Sequence, residues 1–172
     1  MNGETIETWF ELYANDVFNY LVYYTYSHDV EDLVQETFIK AWTHLGKQNK
    51  IVDPKAWLLS IARNTAIDAM RKMKRPIENT IGDDLLRSLE SDFSVEERVE
   101  LNEEKRQIIS ALLALKQSYR EVVILRSLED FSIRTTAQIL GWSESKVKTT
   151  YFRAIKRIQY SIQGGVPNGL VR

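Results

Sequence analysis

The chain has 172 residues, of which 44% are hydrophobic and 27% charged, and its formal net charge is -1 at pH 7. That length suits one medium domain or two small ones, and the absence of cysteine excludes a disulfide framework and a thiolate metal site. No apolar run approaches the roughly 20 residues of a membrane span, Met1 to Trp9 lacks a signal-peptide pattern, and His28 and His44 sit among solvent-type residues, so a soluble, cytoplasmic chain with no metal site and no cofactor is expected.

Helical periodicity runs through the chain, with no competing strand pattern and no internal repeat. Ile6, Phe10, Tyr13, Val17, Leu21 and Tyr24 recur at helical spacing and are expected in a core. Residues 29–45 form a second helix with Val34, Phe38, Ala41, Trp42 and Leu45 facing inward. On its opposite side Asp32, Gln35, Glu36 and Ile39 fall at i, i+3, i+4 and i+7. An exposed isoleucine beside two carboxylates and an amide suits a docking surface for a basic partner helix. Ordinary solvated acids explain the charges equally well. Asp53-Pro54 reads as an N-cap followed by proline at the first helical position, where the missing N–H costs nothing. The third helix, Lys55 to about Lys74, is expected to bury Trp57, Leu58, Ile61, Ala62, Thr65 and Ala69 before Pro76 ends it. Residues 76–93 carry turn formers and acids and read as a linker. A further helix starts near Val95 and runs through Leu101, Ile108, Leu112 and Leu115, and another spans Tyr119 to Leu128.

The stretch from Phe131 to Ile158 then reads as two helices joined by a turn. Ser132 caps the first, whose Ile133, Ala137 and Leu140 form one apolar stripe. Gly141 ends it in a left-handed conformation, and Ser143 caps the next. Val147, Tyr151, Ala154 and Ile158 share one face of that helix, and the remainder carries Lys146, Lys148, Arg153, Lys156 and Arg157 against Glu144 alone. Cations and short polar side chains on the exposed face of such a second helix suit a DNA major groove.

The small net charge conceals segregation. Residues 1–50 hold eight acids and three bases, and residues 51–75 hold two acids and six bases. Ten acids face two bases in 76–104, a net of minus eight, and four acids face twelve bases in 105–172. Two basic modules flanking an acidic connector favour nucleic acid, which overall charge alone would have disfavoured.

Three blocks resemble one family, in its order. DVEDLVQETFIKAW (29–42) resembles the segment of the bacterial extracytoplasmic-function sigma factors that reads DAEDLxQETF. PKAWLLSIARNTAIDAMRKMKR (54–75) is similar to that family's promoter-melting and minus-ten-reading helix. REVVILRSLEDFSIRTTAQILGWSESKVKTTYFRAIKRI (120–158) is similar to its minus-thirty-five-reading domain. The resemblance covers about half the chain. It implies an all-α fold of two small helical domains: a region 2-like unit at 1–75, an acidic linker and helix start at 76–104, and a region 4-like helix-turn-helix unit at 105–163, followed by a tail at 164–172.

Site residues follow from the resemblance position by position. Asp32, Gln35, Glu36 and Ile39 match the surface that binds the β′ clamp of core RNA polymerase. Lys47, Gln48, Asn49 and Lys50 match a loop that pockets a base flipped from the minus-ten element, and Asn64 matches a residue packed against that base. Arg63, Arg71, Lys72, Lys74 and Arg75 would lie along the DNA backbone. Ser145, Lys146, Lys148, Thr149, Phe152, Arg153 and Lys156 form the expected minus-thirty-five surface. Lysine and arginine attract phosphate and hydrogen-bond guanine, while threonine and phenylalanine contact thymine methyls. Departures bear on promoter choice: the family commonly has Ser-Arg at Thr149-Thr150, Thr at Lys146, and often Glu-Ile at Thr135-Thr136. The implied partners are core RNA polymerase, through its β′ clamp and β subunit, promoter DNA and an anti-sigma factor, with no small-molecule substrate.

An alternative sigma factor is the reading that uses all three blocks. A helix-turn-helix regulator acting as a dimer without core polymerase leaves the 29–42 stripe and the second basic module unexplained. An all-helical protein that sequesters another regulator is a third class. An enzyme is disfavoured, because no nucleophile–base pair, phosphate-cradling loop or metal cluster is apparent in the sequence.

Overall fold

The protein's structure, a computed structural model, describes residues 2–46, 50–72 and 103–164, with side chains from Ile6 onward. Lys47, Gln48, Asn49, Lys74, Arg75, the connector up to Asn102 and residues 165–172 lie outside the described residues. All regular structure among the described residues is helical, and none of those helices is long and apolar enough to cross a membrane.

Helices α1 (Asn2–Thr25), α2 (Glu31–Leu45) and α3 (Pro54–Lys72) pack against one another as a first bundle. Its core joins Val17, Tyr20, Leu21 and Tyr24 of α1 to Val34, Phe38 and Ala41 of α2 and to Leu58, Leu59, Ala62 and Ala66 of α3. The α1 stripe is therefore real but shorter than its periodicity. Phe10 is 48% exposed, and it meets Phe38 edge-on at 4.9 Å from the rim. Helix α1 ends at Tyr26, which takes a left-handed backbone with φ 56°, an uncommon choice for a bulky residue. The Asp53 carboxylate accepts from the Ala56 N–H at 3.0 Å, so the expected N-cap forms. Such a cap is worth about 1 kcal/mol.

Trp42 departs from expectation: it is 59% exposed, outside the core. In a helix of 3.6 residues per turn two steps of four residues over-rotate by about 80°, while seven residues fall only about 20° short of two turns. Counting from Val34, that keeps Ala41 inside and swings Trp42 outward, and Thr37 takes the inner position instead. On α3, Trp57, Ile61 and Ala69 are likewise half-buried, while Leu59 and Ala66 are fully buried.

The second bundle comprises α4 (Glu103–Leu113), α5 (Gln117–Val123), α6 (Ile133–Leu140) and α7 (Glu144–Ile162). Helix α5 runs directly into a π-helical turn, Ile124–Leu128, closed by the Glu129 N–H on the Ile124 carbonyl at 3.0 Å. Ile108, expected inside, is 49% exposed; Leu112 and Leu113 bury the end of α4, and Leu115 is buried in the turn beyond it. The helix-turn-helix obeys its local signals. Ser132 accepts from the Thr135 N–H at 3.0 Å and Ser143 from the Lys146 N–H at 3.2 Å. Between them Gly141 sits at φ 66°, where a Cβ would be strained. Val122, Ile124, Leu125, Ala137, Leu140, Val147, Ala154 and Ile158 make the core.

Candidate functional site

Three surfaces gather the sequence-selected residues. On α2, Asp32, Gln35, Glu36 and Ile39 are all exposed, Ile39 to 59%. Trp42, one turn beyond Ile39, extends this apolar strip and was missed because it was counted as core. Glu36 is not a free acid: Lys40 of the same helix reaches it at 2.8 Å and also contacts the Thr65 hydroxyl of α3 at 3.3 Å. Asp32 carries the uncompensated charge of the stripe among the described residues.

The second surface is α3 and the loop before it. Lys50 and Asn64 are exposed, and Arg71 and Lys72 project from the last turn of α3. Arg63 is elsewhere. Its Nε meets the Glu121 carboxylate of the second bundle at 2.7 Å, with only 18% of the arginine side chain and 4% of the glutamate exposed.

The third surface is α7. Ser145, Lys146, Lys148, Thr149, Phe152, Arg153 and Lys156 are all exposed, Phe152 to 63%. Lys148 and Arg153 make no ion pair with a described residue, so their charges face outward unneutralised. Lys146 lies over the Trp142 ring at 3.9 Å and Lys156 over Phe152 at 5.6 Å. Arg157 instead covers the Tyr119 ring at 4.9 Å, an internal packing role. A phenyl ring this exposed, flanked by cations on a capped helix, offers apolar contact to a thymine methyl and charge to phosphates from one face.

Between the bundles runs a seam that periodicity did not anticipate. Helix α3 touches α6, and α1 touches α5. Lys55 bridges Glu129 at 2.7 Å and Asp16 at 3.4 Å. The Arg120 guanidinium lies over the Tyr26 ring at 3.6 Å, and its Nη1 donates to the carbonyls of Leu115 at 3.0 Å and Leu113 at 3.3 Å. Burial pulls Arg120 down to about 10, still charged at neutral pH. Burial and then the charge of Glu121 push Tyr24 up to about 12. Burial lowers Lys55, but Glu129 and Asp16 reverse this and leave it above the ordinary lysine value. Arg63 and Glu121 report opposite balances. Burial opposes the Arg63 charge and Glu121 more than restores it; burial drives the Glu121 carboxyl up by more than Arg63 and Arg120 pull it down. Glu121 is the more deeply buried partner, so its cost governs. The hydroxyls of Tyr20 and Tyr26 and the Nε and Nη2 of Arg120 find no hydrogen-bond partner among the described residues. One sequence signal points to the seam: Arg120-Glu121 heads an otherwise apolar run, Val122 to Leu125, and charges inside such a run must be paired to be buried.

Comparison with known proteins agrees with this architecture. Residues 9–76 match the family described as Sigma-70 region 2, and residues 105–158 match Sigma-70, region 4. The chain is 34% identical over 165 residues to the ECF RNA polymerase sigma factor SigM of Bacillus subtilis (strain 168), covering 94% of this chain and 98% of that protein. It is 34% identical over 157 residues to the ECF RNA polymerase sigma factor SigX of the same organism, covering 89% and 81%. Among solved structures, the sigma factor RpoE in complex with the anti-sigma factor NepR from Bartonella quintana superposes with a TM-score of 0.71 at 25% identity, over 93% of this chain and 98% of that one. Two region matches in the family's order, and relatives matched over 98% and 81% of their length, leave one conclusion: the chain belongs to the ECF RNA polymerase sigma factors.

Proposed function

We propose that this chain acts in the cytoplasm as the initiation subunit of RNA polymerase, conferring promoter choice and opening while the polymerase performs all covalent chemistry. Residues 1–75 hold core polymerase through the α2 stripe and read the minus-ten element through α3 and its preceding loop. Residues 105–163 read the minus-thirty-five element through α7, and the acidic segment 76–104 joins them. An anti-sigma factor is the expected antagonist, since the RpoE relative is bound by one. The observation that carries this reading is the α2 strip. Asp32, Gln35, Glu36, Ile39 and Trp42 stand exposed together on the bundle that does not carry the helix-turn-helix. A regulator acting through DNA alone has no use for it, whereas a cationic helical partner matches its charge and its apolar centre.

The test is Asp32→Lys combined with Glu36→Lys. Reversing exposed rim charges alters association far more than folding, so the double variant should keep its helicity and melting while losing co-elution with core polymerase and run-off transcription. Retained holoenzyme at normal affinity would remove α2 as the docking face. A wild-type chain that binds promoter DNA but never joins core would reject the subunit role altogether.

A further inference from the structure

We propose that Tyr151 is a positioning residue for promoter reading: tied to the π-helical turn, it fixes the roll of α7 about its own axis and thereby selects which side chains of α7 reach base edges. The inference rests on α7 reading the minus-thirty-five element, and it concerns a residue outside the exposed face that would touch DNA. Tyr151 is half-buried beside the exposed Phe152. Its hydroxyl shares a hydrogen bond with the Ser127 hydroxyl at 3.0 Å, and the Arg126 guanidinium lies over its ring at 5.5 Å. Both partners belong to the π-helical turn Ile124–Leu128. That turn is itself tied to the start of α6. Arg126 Nη1 donates to the carbonyl of Phe131, which precedes the Ser132 cap, and the Phe131 N–H donates to the Leu125 carbonyl at 2.9 Å. Tyr151 therefore joins α7 to the block that carries the first helix of the helix-turn-helix.

The placement of this contact around the helix is what gives it leverage. Val147, Ala154 and Ile158 are buried and point within about 20° of one direction from the α7 axis, at about 100° per residue. Side chains aimed straight at the packing partner slide past it when a helix rolls, whereas side chains at the flanks are driven into it or pulled away. Tyr151 lies about 40° to one side of the buried line and Arg157 about 80° to the other, where Arg157 is held over the Tyr119 ring at 4.9 Å. The two contacts brace α7 against opposite senses of rotation. Side-chain tips lie about 5–6 Å from a helix axis, so a roll of about 20° carries them about 2 Å. Donor–acceptor distances in a hydrogen bond span only about 0.5 Å, so Lys148, Thr149 and Arg153 would lose alignment with base edges together. Attraction to phosphate carries no sequence information and depends far less on alignment. The brace therefore acts on sequence discrimination rather than on overall affinity.

The test uses holoenzyme reconstituted with the full chain and promoter DNA randomised across the upstream element. Sequencing the bound fraction gives the preferred base and the stringency at each position. Tyr151→Phe removes the phenolic hydroxyl and keeps the ring, while Ser127→Ala removes the exposed hydroxyl opposite it. Each should lower discrimination at one or more upstream positions by about threefold to tenfold, a part of what a bidentate base contact supplies. Melting, binding to DNA of unrelated sequence and the salt dependence of that binding should match wild type, because no cation is lost. The double variant should lose no more than either single one, since both break the same bond. Ser127→Thr keeps a hydroxyl and should discriminate as wild type does. If Tyr151→Phe melts early, Ser127→Ala and Ser127→Thr decide. Unchanged base preferences in the single variants, losses that add in the double variant, or an equal loss of affinity for every sequence would overturn the positioning role while leaving α7 as the reading helix. A wild-type holoenzyme that selects no upstream bases would instead reject α7 as the reader of that element, and the inference with it.

Discussion

Thr136 is the side chain in the helix-turn-helix that chemistry would exchange first. It is fully buried on α6, and its hydroxyl has no hydrogen-bond partner among the described residues. The family this chain resembles often has isoleucine there. A buried hydroxyl without a partner forfeits hydrogen bonds that water supplied in the unfolded chain, at a cost of about 1–3 kcal/mol. Thr136→Val keeps the shape and removes the oxygen, so the second bundle should gain about 1 kcal/mol. Denaturant titration measures this, and a midpoint moving downward would show that the hydroxyl is satisfied in solution. Trp42 calls for the opposite experiment. Because its ring is mostly in solvent, Trp42→Ala should change stability by no more than about 0.5 kcal/mol. If the ring is an anchor for core polymerase, the same change should weaken holoenzyme formation by about 2 kcal/mol or more. Loss of stability with unchanged core affinity would return Trp42 to the core, where sequence periodicity had placed it.

At the scale of elements, what the sequence made legible was whatever depends on near neighbours. Asp53, Ser132 and Ser143 each cap a helix, and Gly141 turns the chain between α6 and α7. Each acts through atoms within three or four residues, so local chemistry suffices. The exposed acidic strip of α2 and the outward-facing charges of α7 were legible too, since amphipathic spacing separates faces. Trp42 and Ile108 were not, because a helix drifts off any fixed spacing and only the packed neighbour decides the boundary of its buried face. The π-helical turn after α5 had no sequence signature either. The elements that were legible support a division of labour that can be measured. Lys148→Ala and Arg153→Ala on α7 should each weaken binding of the upstream promoter element, by about 1–3 kcal/mol if the lost contact is bidentate to a base. Asn64→Ala on α3 should instead leave closed-complex binding largely intact and impair strand opening, because a flipped base costs a few kcal/mol to extrude and needs its pocket. Permanganate reactivity of the bubble beside mobility shifts separates these outcomes. Equal defects in both assays for all three variants would mean that α3 and α7 do not read separate elements.

At the scale of the whole molecule, the charge segregation of the sequence announced two modules but not how they meet. Their contact depends on Arg63 and Glu121, separated by 58 residues, and no periodic pattern relates such distant positions. The burial that makes this contact also gives it a pH dependence. Glu121 faces Arg63 from α3 and its neighbour Arg120, and it lies close enough to the Tyr20 and Tyr24 phenols of α1 to perturb both, while Glu129 is held nearby by Lys55. Burial dominates, and the native carboxyl titrates above the usual glutamate range. In the unfolded chain the same group releases its proton near the ordinary value of about 4.3. Between those two values the folded protein holds a proton that the unfolded chain has lost, so stability falls as pH rises through that window. The contribution is fully present below the unfolded value and gone above the native one. Other carboxylates titrate in the same range, so the quantity to follow is the unfolding free energy of wild type minus that of Glu121→Gln, whose amide carries no proton equilibrium. The difference should be flat in acid, decline as pH rises through the window, and level off above it. A difference that rises with pH instead would mean that Arg63 and Arg120 together outweigh burial, making the seam strongest with its carboxylate ionised.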